Sequence, residues 1–539
     1  MLTSLRYPGR ILAVAIALGV CADYLFYDRA LGISAPIFTV LTLAALAGLS
    51  FAERRLPARG NLWLAGAALF FAVCLAWRAS PTLTGLNTLG MLGSLALLAI
   101  GYRSPALANQ PLPQLLGQLA ASLSDMLFQP AALGLQAGRA TAGLSSRGAA
   151  SARMARPIGC GLLLALPALL VFTALLMSAD SVFASYVEQL FAFELPFDLS
   201  QLFEHAFVIG AAAWICAGGL LAGLLGHNFS AFGQAFGWLA RAAVGLVYVD
   251  PAEALEERDI PAEGDTARLH MARRALITIG WVEALTVLVA VDLLFGSFML
   301  IQGAYFFGGL STLERSGMTY AEYARRGFFE LLAVAWLALG LLCALAIVTR
   351  RDEPRARRAL NAASGLMIGL VLGLLVSAFQ RMSLYELAYG YTELRIYTHT
   401  FMVWLAIVLG LFLLALLLGR AQIFWFGGLL AALIYLAGLN LANPDAQIVR
   451  ANVGRLGAPS AQGRYASDQV DAFYLTELSA DAIPALVEAL PKLDADSRAV
   501  AERWLADQRD ELRQQTEAGG WASWHLGRAA ALWSINAHK

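Results

Sequence analysis

Charged side chains are scarce in this chain, and neither sign is in excess. They make up 14% of its 539 residues, and 38 lysines and arginines balance 38 aspartates and glutamates. A protein that binds nucleic acid needs a positively charged face to neutralise phosphates. The balanced composition therefore argues against nucleic acid as a partner.

Cysteine is also rare, and its placement does not suit a disulfide framework. The five cysteines (Cys21, Cys74, Cys160, Cys216 and Cys343) all fall within apolar segments. Disulfides form between cysteines that face an oxidising compartment. We therefore expect no disulfide-stapled domain.

Three common catalytic motifs are absent as well. The sequence has no glycine-rich phosphate loop ending in Gly-Lys-Ser/Thr, no His-Glu-x-x-His zinc helix and no Gly-x-Ser-x-Gly nucleophile turn. We expect neither a bound metal nor a cofactor, and an enzyme is the less favoured interpretation.

Long hydrophobic runs, in contrast, are abundant. Hydrophobic residues form 59% of the chain, and its mean hydropathy is +0.64. A helix of about 20 apolar residues crosses the hydrocarbon core of a bilayer with its backbone hydrogen bonds satisfied internally. The runs predict an all-α fold, a polytopic helical membrane bundle of about eleven transmembrane helices with a small C-terminal helical extramembrane domain. The expected spans are 11–27, 31–51, 61–77, 85–102, 157–178, 206–226, 276–302, 328–348, 359–380, 396–418 and 422–439.

The distribution of arginine indicates the orientation, because lysine and arginine are retained on the cytoplasmic side of a membrane. If the N-terminus is cytoplasmic, most arginines outside the C-terminal tail lie in inner loops, and the acidic loop 179–205, which has no lysine or arginine, lies outside. We predict a multi-pass protein of the bacterial inner (plasma) membrane with a cytoplasmic N-terminus and an extracytoplasmic C-terminus.

This orientation divides the chain into six parts. They are the first four spans (1–102), a cytoplasmic interfacial and flexible segment (103–156), spans five and six with the acidic outer loop (157–227), a cytoplasmic loop (228–275), spans seven to eleven (276–440) and the C-terminal extracytoplasmic domain (441–539).

The tail 441–539 is the one sizeable polar part of the sequence. Helical periodicity at about 467–478, 482–490, 495–516 and 521–535 predicts a small helical domain, with Asp481 and Asp494 as helix caps. The pattern predicts one shared core made of Leu475, Leu478, Ile483, Leu486, Leu490, Trp504, Trp521, Trp524 and Trp533. Such domains dock or cap more often than they catalyse.

Polar residues collect at one depth, the outer half of spans seven to ten. Charged groups at this depth are unfavourable unless they are paired or hydrated. The candidate ligand-binding or network residues are Asp292, Arg325, Arg326, Glu330, Arg381, Tyr385, Glu386, Tyr389, Glu393, Arg395 and His399.

Three interpretations of this cluster remain open. The first is a structural network, in which Arg325 or Arg326 pairs with Glu330, and Arg381 or Arg395 pairs with Glu386 or Glu393. The second is a site for an anionic ligand or lipid headgroup, in which His399 titrates near neutral pH. The third is a catalytic site. Asp292, alone in an apolar run, is either a proton relay or a carboxyl bonded to a neighbouring helix.

Several short motifs resemble an uncharacterised family of bacterial polytopic membrane proteins. They are Tyr27-Asp28-x-x-Leu-Gly, the run 317–331, Arg381-x-x-Leu-Tyr385, Tyr389-Gly-Tyr-Thr-x-Leu-Arg395, and Asn443-Pro-Asp followed by Asn452 and Arg455. The sequence is similar to the domain-of-unknown-function family numbered four-one-seven-three over most of its length. The resemblance implies a polytopic membrane protein and no particular activity.

The function predicted from these observations is that of a transporter or a ligand-responsive membrane component, with its polar site in the outer half of spans seven to ten. Two alternatives remain, a membrane-embedded enzyme acting on a lipid-linked or headgroup substrate, and a structural partner of another envelope protein through 441–539. The partners implied are the lipid bilayer, an anionic ligand or lipid headgroup, and an envelope protein.

The predicted orientation can be tested with reporter fusions. A reporter placed after Lys539 should be active only outside the cytoplasm, whereas one inserted in 351–358 should be active only inside it. Reversal of both results would overturn the arginine-based orientation, and reversal of one would reveal a miscounted span.

Overall fold

The structure, a computed structural model, describes residues 7–55, 57–103, 107, 130, 199–225, 281–307, 328–349, 353–456 and 470–538. The predicted fifth span (157–178), most of the segment 103–156 and the loop 228–275 lie outside these residues.

Helices of membrane-spanning composition make up most of the described chain before Asn443. They are α1 (Pro8–Phe26), α2 (Ser34–Ala52), α3 (Trp63–Trp77), α4 (Pro81–Gly101), α5 (Leu199–Leu225), α6 (Trp281–Phe307), α7 (Phe328–Val348), α8 (Pro354–Tyr389), α9 (Glu393–Leu418) and α10 (Ala421–Ala442). Within the described ranges, nine helices are long and apolar enough to cross a membrane, and α7 contains a shorter apolar stretch, Leu331–Ala346. The predicted all-α helical membrane bundle is confirmed.

Local sequence explains several helix ends. Three helices, α1, α4 and α8, begin with a proline (Pro8, Pro81 and Pro354). Proline has no backbone N–H, but the N–H groups of a first helical turn have no helical acceptor, so no hydrogen bond is lost. Helix α8 is longer than the expected 359–380 because an apolar run measures the thickness of the bilayer, whereas a helix can continue beyond it. Helix α8 ends at Tyr389, and the residue that follows, Gly390, has a φ of 82°. Glycine adopts this positive φ without the steric penalty that a side chain would bring.

The membrane helices form two packed groups with separate cores. Residues such as Leu18, Leu64 and Leu221 form the core of the first group, α1 to α5. A second core, with Leu288, Met367 and Leu405 among its members, lies between α6 and α9.

Helix α10 connects the two groups. Its Trp425 packs against the first core, whereas Phe424 packs against the second. Near its other end, Asn440 exchanges two amide hydrogen bonds with Asn87 of α4, at 2.8 and 2.7 Å. Both side chains are fully buried. Amides in a membrane interior stabilise helix contacts by pairing in this way, so the pair fixes α10 against α4.

The described residues of the C-terminal domain (444–456 and 470–538) contain five α-helices. They are α11 (Pro444–Gly454), α12 (Ala472–Glu477), α13 (Ile483–Ala489), α14 (Ala495–Gly519) and α15 (Leu526–Ala537). The sequence pattern missed α11, because Asn443-Pro444-Asp445 reads as a turn. In the structure this turn is also a helix start, since Asn443 Oδ1 accepts the Ala446 N–H. Asp494 caps α14 as expected, through the Ser497 N–H.

The predicted core of this domain is only partly correct. Its five aliphatic members are buried together, and Trp504 packs against them. The other three tryptophans, Trp521, Trp524 and Trp533, are 54%, 44% and 73% exposed, so their placement in the core was wrong. Helical spacing alone does not tell whether an apolar face packs in the domain's own core or against the membrane helices. Trp521, for example, lies against Tyr24 of α1, with ring centroids 6.3 Å apart.

The C-terminal domain rests on the ends of the first helices. The Ile33 N–H, in the turn between α1 and α2, donates to the Trp524 carbonyl at 2.8 Å. Gly32 touches the same carbonyl so closely that a Cβ atom would collide with it. The turns at Gly32 and Ser80 and the start of α9 therefore lie on one side of the membrane.

Candidate functional site

The structure places the predicted site residues on several helices. Arg325 and Arg326 lie outside the described residues, and so does the side chain of Glu330, which belongs to α7. The other predicted residues lie on α6, at the end of α8, or at the start of α9.

Asp292 is separate from the rest of the cluster. It lies on α6 and is 5% exposed, and neither carboxyl oxygen has a hydrogen-bond partner among the described residues. A buried carboxyl without a partner is costly in its charged form. Asp292 therefore forms no hydrogen bond with the other described candidates, and both of its predicted roles stay open.

Glu386 and His399 form a buried pair across the turn from α8 to α9. The His399 Nδ1 lies 2.9 Å from the Glu386 Oε2, and Glu386 is 4% exposed. The Phe379 and His399 rings pack edge to face, with their centroids 3.9 Å apart. The Glu386 carboxylate thus has His399 as a hydrogen-bond partner.

Arg395 stabilises the end of α8. Its Nη1 donates to the carbonyl groups of Tyr389 and Gly390, which α8 leaves without helical partners. Its guanidinium also lies 4.2 Å from the centre of the Tyr385 ring, a cation–π contact. Arg381, on the same helix, is buried. These contacts make Arg395 part of the turn that positions His399.

Glu393 faces the C-terminal domain. Its backbone N–H donates to the Tyr474 hydroxyl at 2.8 Å. The structure therefore separates Glu393 from the Glu386–His399 pair, although the sequence placed them together.

The turn between α8 and α9 is held by Asn452 of α11. Asn452 Oδ1 accepts the Tyr391 N–H at 2.7 Å, and its Nδ2 donates to the Tyr391 carbonyl at 2.8 Å. A Cβ atom on Gly390 would lie 2.6 Å from the same Oδ1, so this approach requires glycine. Residues 389–395 and Asn452, which carried the family resemblance, therefore meet at one contact.

A second contact joins the C-terminal domain to the loop between α3 and α4. Asp481 Oδ2 accepts the Ala79 and Ser80 N–H groups at 2.7 and 3.1 Å. The expected role of Asp481 as an N-cap of its own helix was wrong, since it binds the start of α4 instead. Burial raises the pKa of Asp481 to about 6, although the Ser80 N–H and Arg78 oppose the shift.

His525 completes this contact as a neutral imidazole. Its Nδ1 accepts the Arg528 N–H at 3.3 Å, and its Nε2 donates to the Arg78 carbonyl at 3.2 Å. A doubly protonated ring could not accept at Nδ1. Burial, with a smaller contribution from Arg528, lowers the pKa of His525 to about 4.

An apolar cleft of about 700 Å³ lies beneath these contacts, between α4, α7, α9 and α10. Its walls include Leu86 and Leu89 of α4, Phe401 and Trp404 of α9, and Leu433 of α10. Tyr397, Tyr435 and Thr82 supply hydroxyl groups. No described member of the predicted site lines this cleft.

Tyr435 fixes the polar part of the cleft wall. Its hydroxyl lies 3.2 Å from the Thr400 Oγ1 and donates to the Tyr397 carbonyl at 3.4 Å. The Trp404 Nε1 is buried without a hydrogen-bond partner among the described residues. An unbonded donor on the wall of an apolar cleft can orient the polar end of a bound molecule.

Sequence reasoning missed the residues that attach the C-terminal domain. Asp445 and Asn443 stood within a quoted motif but were interpreted as a turn, and Ser80, Asn87 and Asn440 are isolated polar residues at the ends of apolar runs. A polar residue at membrane depth needs a hydrogen-bond partner, so the sequence did indicate that these residues make polar contacts. Which residue each one meets could not be deduced, because their partners lie between 34 and 401 positions away in sequence and on separate helices or loops.

These features define a multi-pass, all-α membrane protein with a helical domain docked on one face. In the described ranges, no group of three or more His, Cys, Asp or Glu side chains could hold a metal ion. The family model described as domain of unknown function DUF4153 matches residues 65–489, and the chain belongs to this family. The family number expected from the motifs was therefore wrong. No curated protein and no solved structure matches the chain.

The Glu386–His399 pair can be tested by removing one partner. His399→Ala leaves the Glu386 carboxylate buried without its bond, which should destabilise the protein by about 1–3 kcal/mol. Thermal unfolding in detergent should show this loss, and Glu386→Gln in the same chain should restore part of it. Arg355→Ala, on the exposed start of α8, serves as the control. Equal and small effects of His399→Ala and Arg355→Ala would show that the pair does not stabilise the turn.

His525 gives the protein a predicted acid sensitivity. Because its folded pKa lies below the ordinary value of 6.5, its contribution is complete above pH 6.5 and is lost as the pH falls toward about 4. The full loss corresponds to about 3 kcal/mol. Thermal unfolding between pH 7.5 and 4.5 should therefore show a smaller acid-induced decrease for His525→Gln than for the unaltered chain.

Asp481 changes the pH dependence of stability in the opposite direction from His525, so the pH profiles of variants at both residues must be compared. Its raised pKa means that its charged form is disfavoured in the fold and that protonation near pH 6 favours folding. Asp481→Asn should therefore make the acid-induced decrease steeper. Identical pH profiles for the unaltered chain and His525→Gln would contradict the assignment of a neutral, buried imidazole.

Proposed function

We propose that this protein is a ligand-responsive membrane component that binds a membrane lipid in the cleft between α4, α7, α9 and α10. The observation that carries the proposal is the cleft itself, a space of about 700 Å³ with an apolar wall and hydroxyl groups at one side. A lipid acyl chain matches the aliphatic and aromatic wall, and a headgroup can bond the hydroxyls.

The position of the cleft supports a lipid as the ligand. Its lining residues lie within the first turns of α4, α7 and α9 and the last turns of α10. In the predicted orientation, this depth is the outer leaflet. A lipid could therefore enter sideways from the bilayer, without crossing a polar barrier.

The arrangement of the C-terminal domain supports a response to the ligand. The domain bonds the loop before α4 through Asp481 and the turn before α9 through Asn452. Both of those helices line the cleft. A ligand that changes their separation therefore changes the docking of the domain, which could signal to an envelope partner.

The cellular placement in this proposal follows from the sequence. We place the protein in a bacterial plasma membrane, with its N-terminus in the cytoplasm and its C-terminal domain outside. In this proposal the Glu386–His399 pair stabilises the turn between α8 and α9 and is not part of a catalytic centre.

A bulky substitution in the cleft provides the test. Leu89 and Leu92 are both exposed leucines on α4, at 69% and 53%, but only Leu89 lines the cleft. Leu89→Trp should fill the space and lower the amount of lipid that stays bound after detergent washing by several-fold. Leu92→Trp should leave that amount unchanged. Native mass spectrometry of the intact protein measures the retained lipid.

The same experiment can contradict the proposal. If the unaltered protein keeps no lipid, or if Leu89→Trp and Leu92→Trp keep as much as the unaltered chain, the cleft is not a lipid site. Thermal unfolding of both variants checks that the folds are equally stable.

A further inference from the structure

We propose that a short segment of the C-terminal domain, the tryptophan turn (residues 520–526), binds the surface of the lipid bilayer through Trp521, Trp524 and Leu526. In this proposal the three side chains lie between the headgroups and the acyl chains of the leaflet on the domain's side of the membrane. This surface is separate from the cleft, and neither proposal depends on the other.

The tryptophan turn exposes large apolar side chains that do not belong to the domain's own core. Trp521 is 54% exposed, Trp524 44% and Leu526 46%. The stretch 518–527 contains no aspartate, glutamate, lysine or arginine. Helix α14, which precedes it, differs in this respect, since it carries the exposed Arg498–Glu502 ion pair that suits a surface in water. An exposed apolar cluster without charged residues of its own marks a contact surface.

Contacts with two membrane helices fix the depth of the tryptophans. The Trp521 ring lies against the ring of Tyr24, in the last turn of α1, with centroids 6.3 Å apart. The Trp524 carbonyl accepts the N–H of Ile33, the residue directly before α2. Both tryptophans therefore lie at the level where α1 and α2 leave the membrane.

Leu526 lies beside the end of a third membrane helix. It is the first residue of α15. A Cβ atom on its neighbour Gly527 would lie 2.6 Å from the carbonyl oxygen of Trp77, the last residue of α3. The exposed apolar surface of the tryptophan turn is therefore continuous with the contact between the domain and the ends of α1, α2 and α3.

The depth and the chemistry of these side chains together favour lipid as the partner. Tryptophan and tyrosine are enriched where a membrane meets water, because each combines an apolar ring with a group that can bond a headgroup. Tyr24 of α1 is itself exposed beside Trp521. Aromatic rings from the domain and from a membrane helix thus form one belt at this level.

The domain is then attached to two different surfaces. Asp481 and Asn452 bond the protein chain at the ends of membrane helices. The tryptophan turn binds the leaflet that surrounds those ends. The position of the domain therefore depends on lipid as well as on the membrane helices.

Site-specific photo-crosslinking of the full chain in its membrane tests the proposal. Trp521 or Trp524 is replaced with p-benzoylphenylalanine, the membrane is irradiated, and the labelled peptide is analysed by mass spectrometry. At both positions, a phospholipid adduct should form several-fold more often than at Glu502, an exposed position on α14 that serves as the control. The proposal is overturned if either position gives no more lipid adduct than Glu502. It is also overturned if the main adduct is with a second copy or another protein.

Fluorescence quenching measures the same contact without an unnatural side chain. The unaltered protein and a Trp521→Phe, Trp524→Phe double variant are placed in nanodiscs with and without phospholipid that is brominated on its acyl chains, a quencher that acts at contact. The double variant should lose part of the bromine-quenched emission. Trp504→Phe, which removes a tryptophan packed against the domain's core, should keep all of it. Equal bromine-quenched emission from the double variant and the unaltered chain would contradict the proposal, and thermal unfolding checks that each variant is folded.

Discussion

The hydrogen bonds that the Ala79 and Ser80 amides donate to the Asp481 carboxylate are the contact on which the packing of the C-terminal domain against the membrane helices depends. Those amides directly precede α4, in which Ser80 is the N-cap residue, so no helical carbonyl accepts their N–H groups. Ser80 supplies no side-chain cap of its own. The acceptor for both N–H groups comes from the C-terminal domain, more than 400 positions away in sequence. Removing the domain would leave the Ala79 and Ser80 N–H groups without their acceptor.

The other contacts between distant parts of the chain are also hydrogen bonds between buried polar groups. Asn452 bonds both backbone groups of Tyr391, His525 bonds the Arg78 carbonyl, and Asn87 and Asn440 bond each other between α4 and α10. Each contact joins parts of the chain that cannot satisfy their polar groups alone. The cleft lies among the helices that these contacts position, so the shape of the cleft and the docking of the domain are linked mechanically.

The sequence allowed prediction of the helical membrane fold because apolar length is a local property. Ten predicted spans coincide with described helices, although α8 extends to Tyr389 beyond the apolar run. Predicting the site was harder. The pattern gathered Glu386, His399 and Arg395 near one turn, but pairing depends on side-chain direction, which spacing along separate helices does not give. Asp481 and the three exposed tryptophans were misplaced for the same reason, since their neighbours come from distant helices.

The central claim, that the C-terminal domain binds the α3–α4 loop and the α8–α9 turn as one unit, is tested most directly by hydrogen–deuterium exchange of backbone amides. The amides of Ala79, Ser80, Tyr391 and Glu393 all donate to the domain. The account predicts that peptides covering the two sites are both protected at neutral pH and lose protection together as the pH falls through the titration of His525. Loss of protection at one site while the other stays protected would contradict it.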